Sequence, residues 1–362
     1  MAALRESREL VLGIESSCDE TAAAVVERGR VVLSSVIASQ HDLHEEYKGV
    51  VPEIASRAHA ERILPVVEGA LAEAGVGLDD LKAVAVGNRP GLIGSLLVGV
   101  SAAKALAWSM GLPLVGVDHV HAHLYAGVLV ERGREEGAGV GVEFPALGLV
   151  VSGGHTSIYL MKSAVEIERI GSTIDDAIGE AYDKVASMLG LAFPGGPLVD
   201  ALARTGNAKR FALPVSTLSK ESLDFSFSGL KTAVKYAAFG VPAKRESMTT
   251  DAGTISKEML ADLCASFQWA ATGAIVKKVE RALSMHGGCR TLVVGGGVSA
   301  NSLLRTRLAE LAAQRKVVLC LPAMNVCLDN AAMIAGLGHA VLAERGWSGD
   351  ALSMGAFAAS KF

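Results

Sequence analysis

Two stretches of the chain repeat one pattern of apolar runs and polar turns. In the first stretch, turns at residues 15–20 and 28–30 separate apolar runs at residues 10–14, 21–26 and 31–37. In the second, turns at residues 152–154 and near 163 separate apolar runs at residues 146–151, 155–161 and 165–170. Short apolar runs bounded by turn residues predict β-strands, so each stretch is a predicted three-stranded meander. Their similar spacing predicts an internally duplicated chain.

A helical pattern follows each meander. Residues 52–74 follow the first meander, with a strand at 79–86, and residues 174–189 follow the second. The order β-β-β-α-β-α in each half predicts the α/β class. It resembles the duplicated actin-like ATPase (ribonuclease H-like) fold, in which two lobes flank a nucleotide cleft. We predict a first α/β lobe at residues 1–117, completed by a C-terminal helix at about residues 330–362. The second lobe, residues 118–329, then carries the metal and nucleotide motifs.

Composition narrows the function classes. The chain has 34 Lys plus Arg against 38 Asp plus Glu, a net charge of −4, so no global positive field holds nucleic acid. Its five cysteines are scattered without a C-x-x-C pair, which predicts neither a disulfide framework nor a thiolate zinc site. The first residues lack the apolar segment of a signal peptide, and uncharged stretches stop short of the ~20 residues that span a bilayer. The sequence predicts a soluble, cytoplasmic protein.

Two histidines and one carboxylate are candidate metal ligands. His119 and His123 are four residues apart, a spacing that places both imidazoles on one helix face. His121 lies between them and is predicted to face solvent. Asp329 precedes a predicted helix, where it is either a third ligand or an N-cap carboxylate. Two His and one carboxylate leave coordination positions open and suit Zn²⁺ or Fe²⁺. On spacing alone, a partly buried polar patch is the competing interpretation.

Several glycine and hydroxyl turns are candidate nucleotide contacts. Ser152-Gly153-Gly154 follows an apolar run, where backbone N–H groups can approach a phosphate, although Gly-Gly also makes ordinary hairpins. The matching turn at residues 15–21 is rich in hydroxyl and carboxylate groups, and is otherwise a polar hairpin loop. Residues 294–301 form a glycine-lined strand-to-helix turn that ends at Asn301. Asp183, on a predicted helix, either holds ribose hydroxyls or is a surface charge.

Motifs of other enzyme classes are missing from the sequence. It contains no Gly-x-Ser-x-Gly elbow, no His-Glu-x-x-His and no P-loop. Serine hydrolases, zincin proteases and P-loop ATPases therefore lose their usual support. The remaining enzyme class is one that uses both a nucleotide and a metal ion.

Seven collinear motifs closely resemble one family, the tRNA N6-adenosine threonylcarbamoyltransferases of bacterial type. The motifs are residues 13–21, 50–53, the His119/His123 pair, and residues 151–156, 179–184, 224–231 and 296–301. The resemblance implies transfer of threonylcarbamoyl from threonylcarbamoyl-adenylate to N6 of the adenosine 3′ of the anticodon. The acceptors are tRNAs that read ANN codons, and AMP is released.

The resemblance also implies the roles of individual residues. One divalent metal per subunit, Fe²⁺ or Zn²⁺, is expected on His119, His123 and Asp329. The positions expected to bind the adenylate are Val150, Val151, Ser152, Gly153, Gly154, Asp183, Gly196, Asp200 and Asn301. Asp19 and Glu20 are possible general bases by position, but spacing selects neither, so we assign no catalytic base.

Partners follow from the same resemblance. They are tRNA, threonylcarbamoyl-adenylate, a non-catalytic paralogue that pairs through first-lobe helices, and a small P-loop ATPase; no membrane is expected. An apolar face on residues 52–74 is a candidate for the paralogue or simply packs on its own sheet; it comprises Ile54, Ala58, Leu64 and Val67. The cations that form a candidate tRNA patch, or are solvated surface charge, are Arg204, Lys209, Arg210, Lys220, Lys231, Lys235, Lys244 and Arg245.

Three positions depart from the family pattern. Arg89 and Lys48 stand where glycine is usual, and both are expected to affect only local turn geometry. Asp118 stands where Asn usually precedes the first metal histidine, and it is expected to tune the metal site.

Two other functions remain open from the sequence. One is a carbamoyltransferase of the same superfamily acting on a small molecule or partner protein, although such chains usually carry an additional large domain. The other is the inactive scaffold paralogue, which the presence of His119, His123 and Asp329 argues against. An older interpretation as a secreted protease conflicts with the missing signal peptide and peptidase motif.

Overall fold

The first meander is the centre of a mixed sheet. A computed structural model describes residues 8–47, 49–133, 141–215, 218–219, 221–240, 255–347 and 351–360. Within these residues, six strands pair in the order β5-β4-β1-β2-β3-β6; their bounds are β1 Leu10–Glu15, β2 Glu20–Glu27, β3 Val31–Ser39, β4 Ala83–Arg89, β5 Leu114–Asp118 and β6 Val130–Glu131. The meander is antiparallel, whereas β4 lies parallel to both β1 and β5. The carboxyl ends of β1, β4 and β5 therefore meet at one edge of the sheet.

Helices cover both faces of this sheet. They are α1 His41–His44, α2 Pro52–Ala74, α3 Ile93–Met110, α4 His119–Tyr125 and, near the end of the chain, α10 Ala331–Arg345. Successive residues of β1 enter different cores: Leu10 and Leu12 pack in the cluster that includes α2 and α3 residues, while Val11 packs with α10 residues. Because helices cover both faces of the sheet, side chains on both sides of each strand are apolar, and the strands appear in the sequence as continuous apolar runs.

The second meander builds a sheet with the same plan. Five strands pair in the order β11-β10-β7-β8-β9 within the described residues; they are β7 Ala146–Val151, β8 Thr156–Met161, β9 Ile167–Ser172, β10 Thr291–Gly295 and β11 Val318–Cys320. The helices of this half are α5 Ile178–Met188, α6 Gly195–Ala203, α7 Ser228–Phe239, α8 Lys257–Met285 and α9 Ser302–Arg315. Its strand order repeats β5-β4-β1-β2-β3 of the first sheet. The predicted duplication is confirmed.

The chain divides into two compact units. The first comprises residues 1–142, 161–167 and 320–362, and the second comprises residues 143–160 and 168–319. This division differs from the predicted boundary after residue 117, because α4 continues directly from β5 and packs against α10. The candidate metal ligands therefore lie in the first unit, not in the second. The helix α10 also belongs to the first unit.

Two helices are long and apolar enough to cross a membrane by length and composition alone. These are α3 and α8, whose most apolar windows are 33% and 72% buried, respectively. Both helices pack within the α/β units, and the core helix of a soluble domain has the same length and composition.

Candidate functional site

The short helix α4 positions both candidate metal histidines. Asp118 caps it, because one carboxylate oxygen accepts hydrogen bonds from the backbone N–H groups of Val120 (3.0 Å) and His121 (3.2 Å). His119 and His123 follow one turn apart with ring centroids separated by 4.7 Å, and both side chains are buried. His121 is half-buried, so the expectation that it faces solvent is wrong.

Asp329 faces the two imidazoles. Its Oδ1 atom lies 3.1 Å from His123 Nε2 and 3.6 Å from His119 Nε2. The N-cap of α10 is the next residue, Asn330, whose side chain accepts from Met333 N at 2.9 Å. The alternative in which Asp329 itself caps the helix is therefore wrong, and its carboxylate lies at the histidine pair.

The three side chains fit a divalent metal. One ligand atom from each lies within 4.8 Å of the others. Among the described residues, neither ring nitrogen of His123 has a hydrogen-bond partner, although both are buried; the 3.1 Å approach of Asp329 lacks hydrogen-bond alignment. A buried polar atom without a partner costs about 1–3 kcal/mol. A cation at this point would satisfy His123 Nε2, and two imidazoles with one carboxylate suit Zn²⁺ or Fe²⁺.

Negative charge surrounds this group. Burial alone lowers the pKa of His119, but the carboxylates of Glu15 and Asp329 outweigh it and raise the pKa to about 10. Burial, followed by the charges of Asp329 and Asp19, raises the pKa of Glu20 to about 9. A concentration of carboxylates around buried imidazoles favours a positive ion.

Sequence reasoning singled out the turn at residues 15–21 for nucleotide contact but missed that two of its side chains contact His119. Glu15 Oε2 lies 3.0 Å from His119 Nδ1, and Ser17 Oγ lies 3.1 Å from the same nitrogen. The strand topology indicates why Glu15 and His119 come together. Glu15 ends β1 and His119 directly follows β5, and the carboxyl ends of parallel strands meet at one edge of a sheet.

In the second unit, the turn after β7 is fixed by α5. The carbonyls of Ser152 and Gly153 accept hydrogen bonds from the backbone N–H groups of Gly179 and Glu180, both at 3.2 Å. Only glycine allows this approach, because a Cβ at Gly179 would lie 2.6 Å from Ser152 O. Beside Gly153 and Gly154, by contrast, no described atom lies within 4 Å of an added Cβ. Val150 and Val151, which precede the turn, are fully buried in β7.

Asp183 and Gly196 lie where α5 meets α6. Asp183 Oδ1 accepts a hydrogen bond from Gly195 N at 2.8 Å, so the carboxylate holds the first turn of α6. A Cβ on Gly196 would meet no described atom within 4 Å. The face of α6 at Gly196 is therefore open for a ligand.

Asp200 and Asn301 belong to one polar network. Asp200 Oδ1 accepts hydrogen bonds from Gln268 Nε2 (3.0 Å), Asn301 Nδ2 (3.2 Å) and Ser302 Oγ (2.7 Å). Gln268 Oε1 in turn accepts from Asn301 Nδ2 at 3.0 Å and from Tyr182 Oη at 3.5 Å. Asn301 also caps α9 through Leu304 N. Gln268, on α8, was not singled out from the sequence, because a lone glutamine in a long helix carries no motif.

The motif at residues 224–231 forms hydrogen bonds and an ion pair with the loop before α5. Asp175 accepts hydrogen bonds from Ser226 Oγ (2.5 Å) and Ser228 Oγ (2.8 Å). Asp176 pairs with Lys184 at 2.6 Å and Lys231 at 2.9 Å. Burial alone raises the pKa of Asp176, but the two lysines outweigh it and hold the pKa below its usual value.

Two of the candidate tRNA-binding cations form ion pairs with carboxylates. Arg204 pairs with Asp200 at 3.1 Å, and Lys231 pairs with Asp176. Lys209 and Arg210 are exposed, and Lys235 is half-buried. The remaining three, together with the family-departing Lys48, lie outside the described residues; the three are Lys220, Lys244 and Arg245.

Comparison with known proteins relates the chain to one family. The family model for tRNA N6-adenosine threonylcarbamoyltransferase matches residues 31–336. The protein of that name from Rhodopirellula baltica is 50% identical over 333 residues, covering 90% of each chain. The one from Trichlorobacter lovleyi is 51% identical over 333 residues, covering 92% of each chain.

Solved structures support the fold. The structure of T. kodakarensis HypF matches 93% of this chain with a TM-score of 0.57 at 15% identity, and this chain spans 47% of that longer one. At that identity the likeness concerns the fold alone, which is the actin-like plan predicted from the duplicated meanders. With the family model matching most of the chain and relatives near 50% identity, the chain belongs to the tRNA N6-adenosine threonylcarbamoyltransferase family.

Proposed function

We propose that this chain transfers the threonylcarbamoyl group from threonylcarbamoyl-adenylate to N6 of the adenosine 3′ of the anticodon in tRNAs that read ANN codons. The adenosine amine attacks the carbamoyl carbon, the bond from that carbon to the AMP phosphate oxygen breaks, and the amine loses one proton. The observation that carries the proposal is the family match across residues 31–336, together with the convergence of His119, His123 and Asp329.

The first unit supplies the metal ligands in this proposal. His119, His123 and Asp329 would hold one Fe²⁺ or Zn²⁺ per subunit. When bound, the ion supplies Lewis-acid polarisation and a fixed positive charge. Asp118 holds the helix that carries both histidines, so its role is to keep their spacing. We assign no general base.

The second unit supplies the adenylate positions. The open turn at Gly153 and Gly154 suits close approach of a phosphate to backbone N–H groups. Asp200 and Asn301 suit ribose or base recognition, because the network around them fixes both side chains before a ligand arrives. Asp183 contributes by holding the start of α6 beside Gly196.

The proposed partners are a non-catalytic paralogue and a small P-loop ATPase, in the cytoplasm. Of the four apolar positions singled out on α2, Ala58 and Val67 are buried in their own unit, whereas Leu64 is 59% exposed. The neighbouring helix α3 exposes Leu97 and Trp108 as well. Exposed apolar side chains on two packed helices are typical of a surface for another protein.

The test is a reconstituted reaction. The purified chain, with and without a bacterial partner set, is incubated with threonylcarbamoyl-adenylate and unmodified ANN-decoding tRNA, and digested nucleosides are analysed by mass spectrometry. We expect threonylcarbamoyladenosine from the wild type and none from His119→Ala. His121→Ala is the matched control on the same helix, and it retains product.

Other outcomes identify the alternatives. If the chain binds metal and adenylate but no mixture gives product, the tRNA acceptor is wrong and the carbamoyltransferase alternative replaces it. If the chain binds neither ligand, it is the scaffold paralogue. The identity of 50% to proteins named as the tRNA enzyme favours neither alternative.

A further inference from the structure

A fully buried carboxylate lies behind the candidate metal ligand His119. Glu15, the last residue of β1, has no exposed surface, and its Oε2 atom is 3.0 Å from His119 Nδ1. Its other oxygen, Oε1, accepts a hydrogen bond from Ser17 N at 2.5 Å. A buried carboxylate is costly unless its oxygens have partners, so this geometry is specific.

The neighbouring strand leaves room for this carboxylate. Gly87 of β4 follows Val86, which pairs with Ile14 of β1. A Cβ at Gly87 would lie 2.7 Å from Glu15 Oε2. Any larger residue at this position would displace the carboxylate, which here extends over β4 towards the end of β5, where His119 begins α4.

The two nitrogens of His119 have different surroundings. Nδ1 faces Glu15 and Ser17, and Nε2 faces Asp329, 3.6 Å from its Oδ1. An imidazole bound to a metal through one nitrogen is neutral and carries one proton, and a carboxylate, which only accepts, draws that proton to the nitrogen it contacts. A charged acceptor makes a stronger hydrogen bond than the Ser17 hydroxyl does.

We propose that Glu15 is a positioning residue that fixes the Nδ1–H tautomer of His119, so that the Nε2 lone pair is directed at the metal. Glu15 does not touch the metal in this arrangement. The carboxylate also restricts rotation of the ring, because Glu15 is itself held by Ser17 N and by the wall of β4. The inference rests on the proposed metal site but not on the proposed acceptor or reaction.

The test measures the nitrogen and the metal directly. Long-range ¹H–¹⁵N NMR of the Zn²⁺-loaded protein with ¹⁵N-labelled histidine reports the tautomer, and the His119 signals are assigned by their loss in His119→Ala. We expect a protonated Nδ1 and a metal-bound Nε2. Competition with a chromophoric chelator gives the Zn²⁺ affinity. Glu15→Gln is expected to weaken it roughly 10–100-fold.

Glu27→Gln is the matched control. Glu27 lies at the far end of the same β1–β2 hairpin, opposite Leu10, and its carboxylate pairs with Arg8. Its Zn²⁺ affinity is expected to equal that of the wild type. Circular dichroism shows whether Glu15→Gln is folded; if it is not, the wild-type NMR spectrum decides the proposal alone.

Three results would overturn the proposal. A metal-bound Nδ1 in the wild type contradicts the assigned tautomer. A folded Glu15→Gln variant with unchanged Zn²⁺ affinity shows that Glu15 does not position the ligand. A wild type that binds no Zn²⁺ or Fe²⁺ removes the metal site itself, and this outcome alone also contradicts the metal part of the proposed function.

Discussion

Both ring nitrogens of His123 are buried, and neither has a hydrogen-bond partner among the described residues. A buried nitrogen without a hydrogen-bond partner opposes folding, because its desolvation is not compensated. With a metal bound, the same geometry supplies a ligand that needs no desolvation. The desolvated nitrogens of His123 therefore cost free energy without a metal, and the same desolvation favours metal binding.

His123→Leu separates these two states. We expect the metal-free variant to be as stable as the wild type or more so, because an apolar side chain of similar volume removes the orphaned nitrogens. The wild type gains about 2.7 kcal/mol when Zn²⁺ is present at 100 times its Kd, and the variant loses that gain. Urea unfolding with and without Zn²⁺ checks both expectations. A strongly destabilised metal-free variant would show that His123 has partners in solution.

Asp176 predicts a pH dependence of stability. Its carboxylate is held by Lys184 and Lys231, so its pKa in the folded state is lower than the usual ~3.9 of the unfolded chain. The stabilisation is therefore present above that unfolded pKa, and is lost as the pH falls through the folded pKa. Asp176→Asn should cost about 1 kcal/mol at pH 7, and the difference from the wild type should shrink towards pH 3. Urea unfolding across this range measures it; a constant difference would contradict the ion-pair explanation.

At the scale of elements, the caps decide where the functional helices begin. Asp118, Asn301 and Asn330 cap α4, α9 and α10, and each cap is at or next to a candidate site residue. The helix predicted at residues 174–189 begins only at Ile178, because Thr173 Oγ1 bonds Asp176 O and Ile178 N bonds Thr156 Oγ1 instead. Such side-chain competition with the helix has no periodic signal.

Two substitutions of Asp118 test the cap on α4, and Asp118→Asn is the control for Asp118→Ala. Asp118→Asn, the residue usual in the family, should change stability by only a few tenths of a kcal/mol, since Asn caps as well as Asp. Asp118→Ala should cost about 1 kcal/mol and weaken Zn²⁺ binding, because both histidines lie on the helix that loses its cap. Thermal unfolding and metal competition check the pair. Equal losses of stability and Zn²⁺ affinity in the two variants would show that the charge of Asp118 matters rather than its capping hydrogen bonds.

Gln268 joins four helices of the second unit. It bonds Asp200 of α6 and Asn301 at the start of α9, and it lies 3.5 Å from Tyr182 of α5. Gln268→Leu removes a donor and an acceptor at once, so we expect about tenfold weaker AMP binding, measured by calorimetry. Gln314→Leu, an exposed position on α9, is the control and keeps wild-type affinity. Unchanged binding in Gln268→Leu would exclude this network from adenylate recognition.

At the scale of the whole molecule, each half carries its own ligand positions on the same strand plan. The candidate metal ligands follow β5 and precede α10 in the first unit. In the second unit, the candidate adenylate positions at residues 152–154 and at Asn301 follow β7 and β10, and the others lie in β7, α5 and α6. We expect hydrogen exchange to show this division. Zn²⁺ should slow exchange in α4 and the first turn of α10, and AMP should slow it at residues 152–154 and at the start of α9. Protection by either ligand confined to the other unit would contradict the assignment.

The sequence predicted the α/β duplication, the helix at residues 52–74 and the histidine pair, because periodicity and i,i+4 spacing are local properties. The roles of Gly196 and Asp200 came only through family resemblance. The contacts of Glu15 and Ser17 with His119, and the role of Gln268, were missed because they depend on pairing between distant segments, which one sequence does not display. The compact units differ from the predicted boundary after residue 117 for a similar reason, since α4 packs against α10, more than 200 residues further along the chain.

The segmented make-up of the first unit has a consequence for synthesis on the ribosome. Strand β1 precedes the second unit along the chain, yet α10, which packs on β1, is translated after the whole of that unit. The second unit is therefore complete while the first still lacks its last helix and Asp329. Until then a nascent chain offers only two of the three proposed metal ligands, His119 and His123. The proposed ligand set would therefore be complete only late in translation, after α10 has packed on β1.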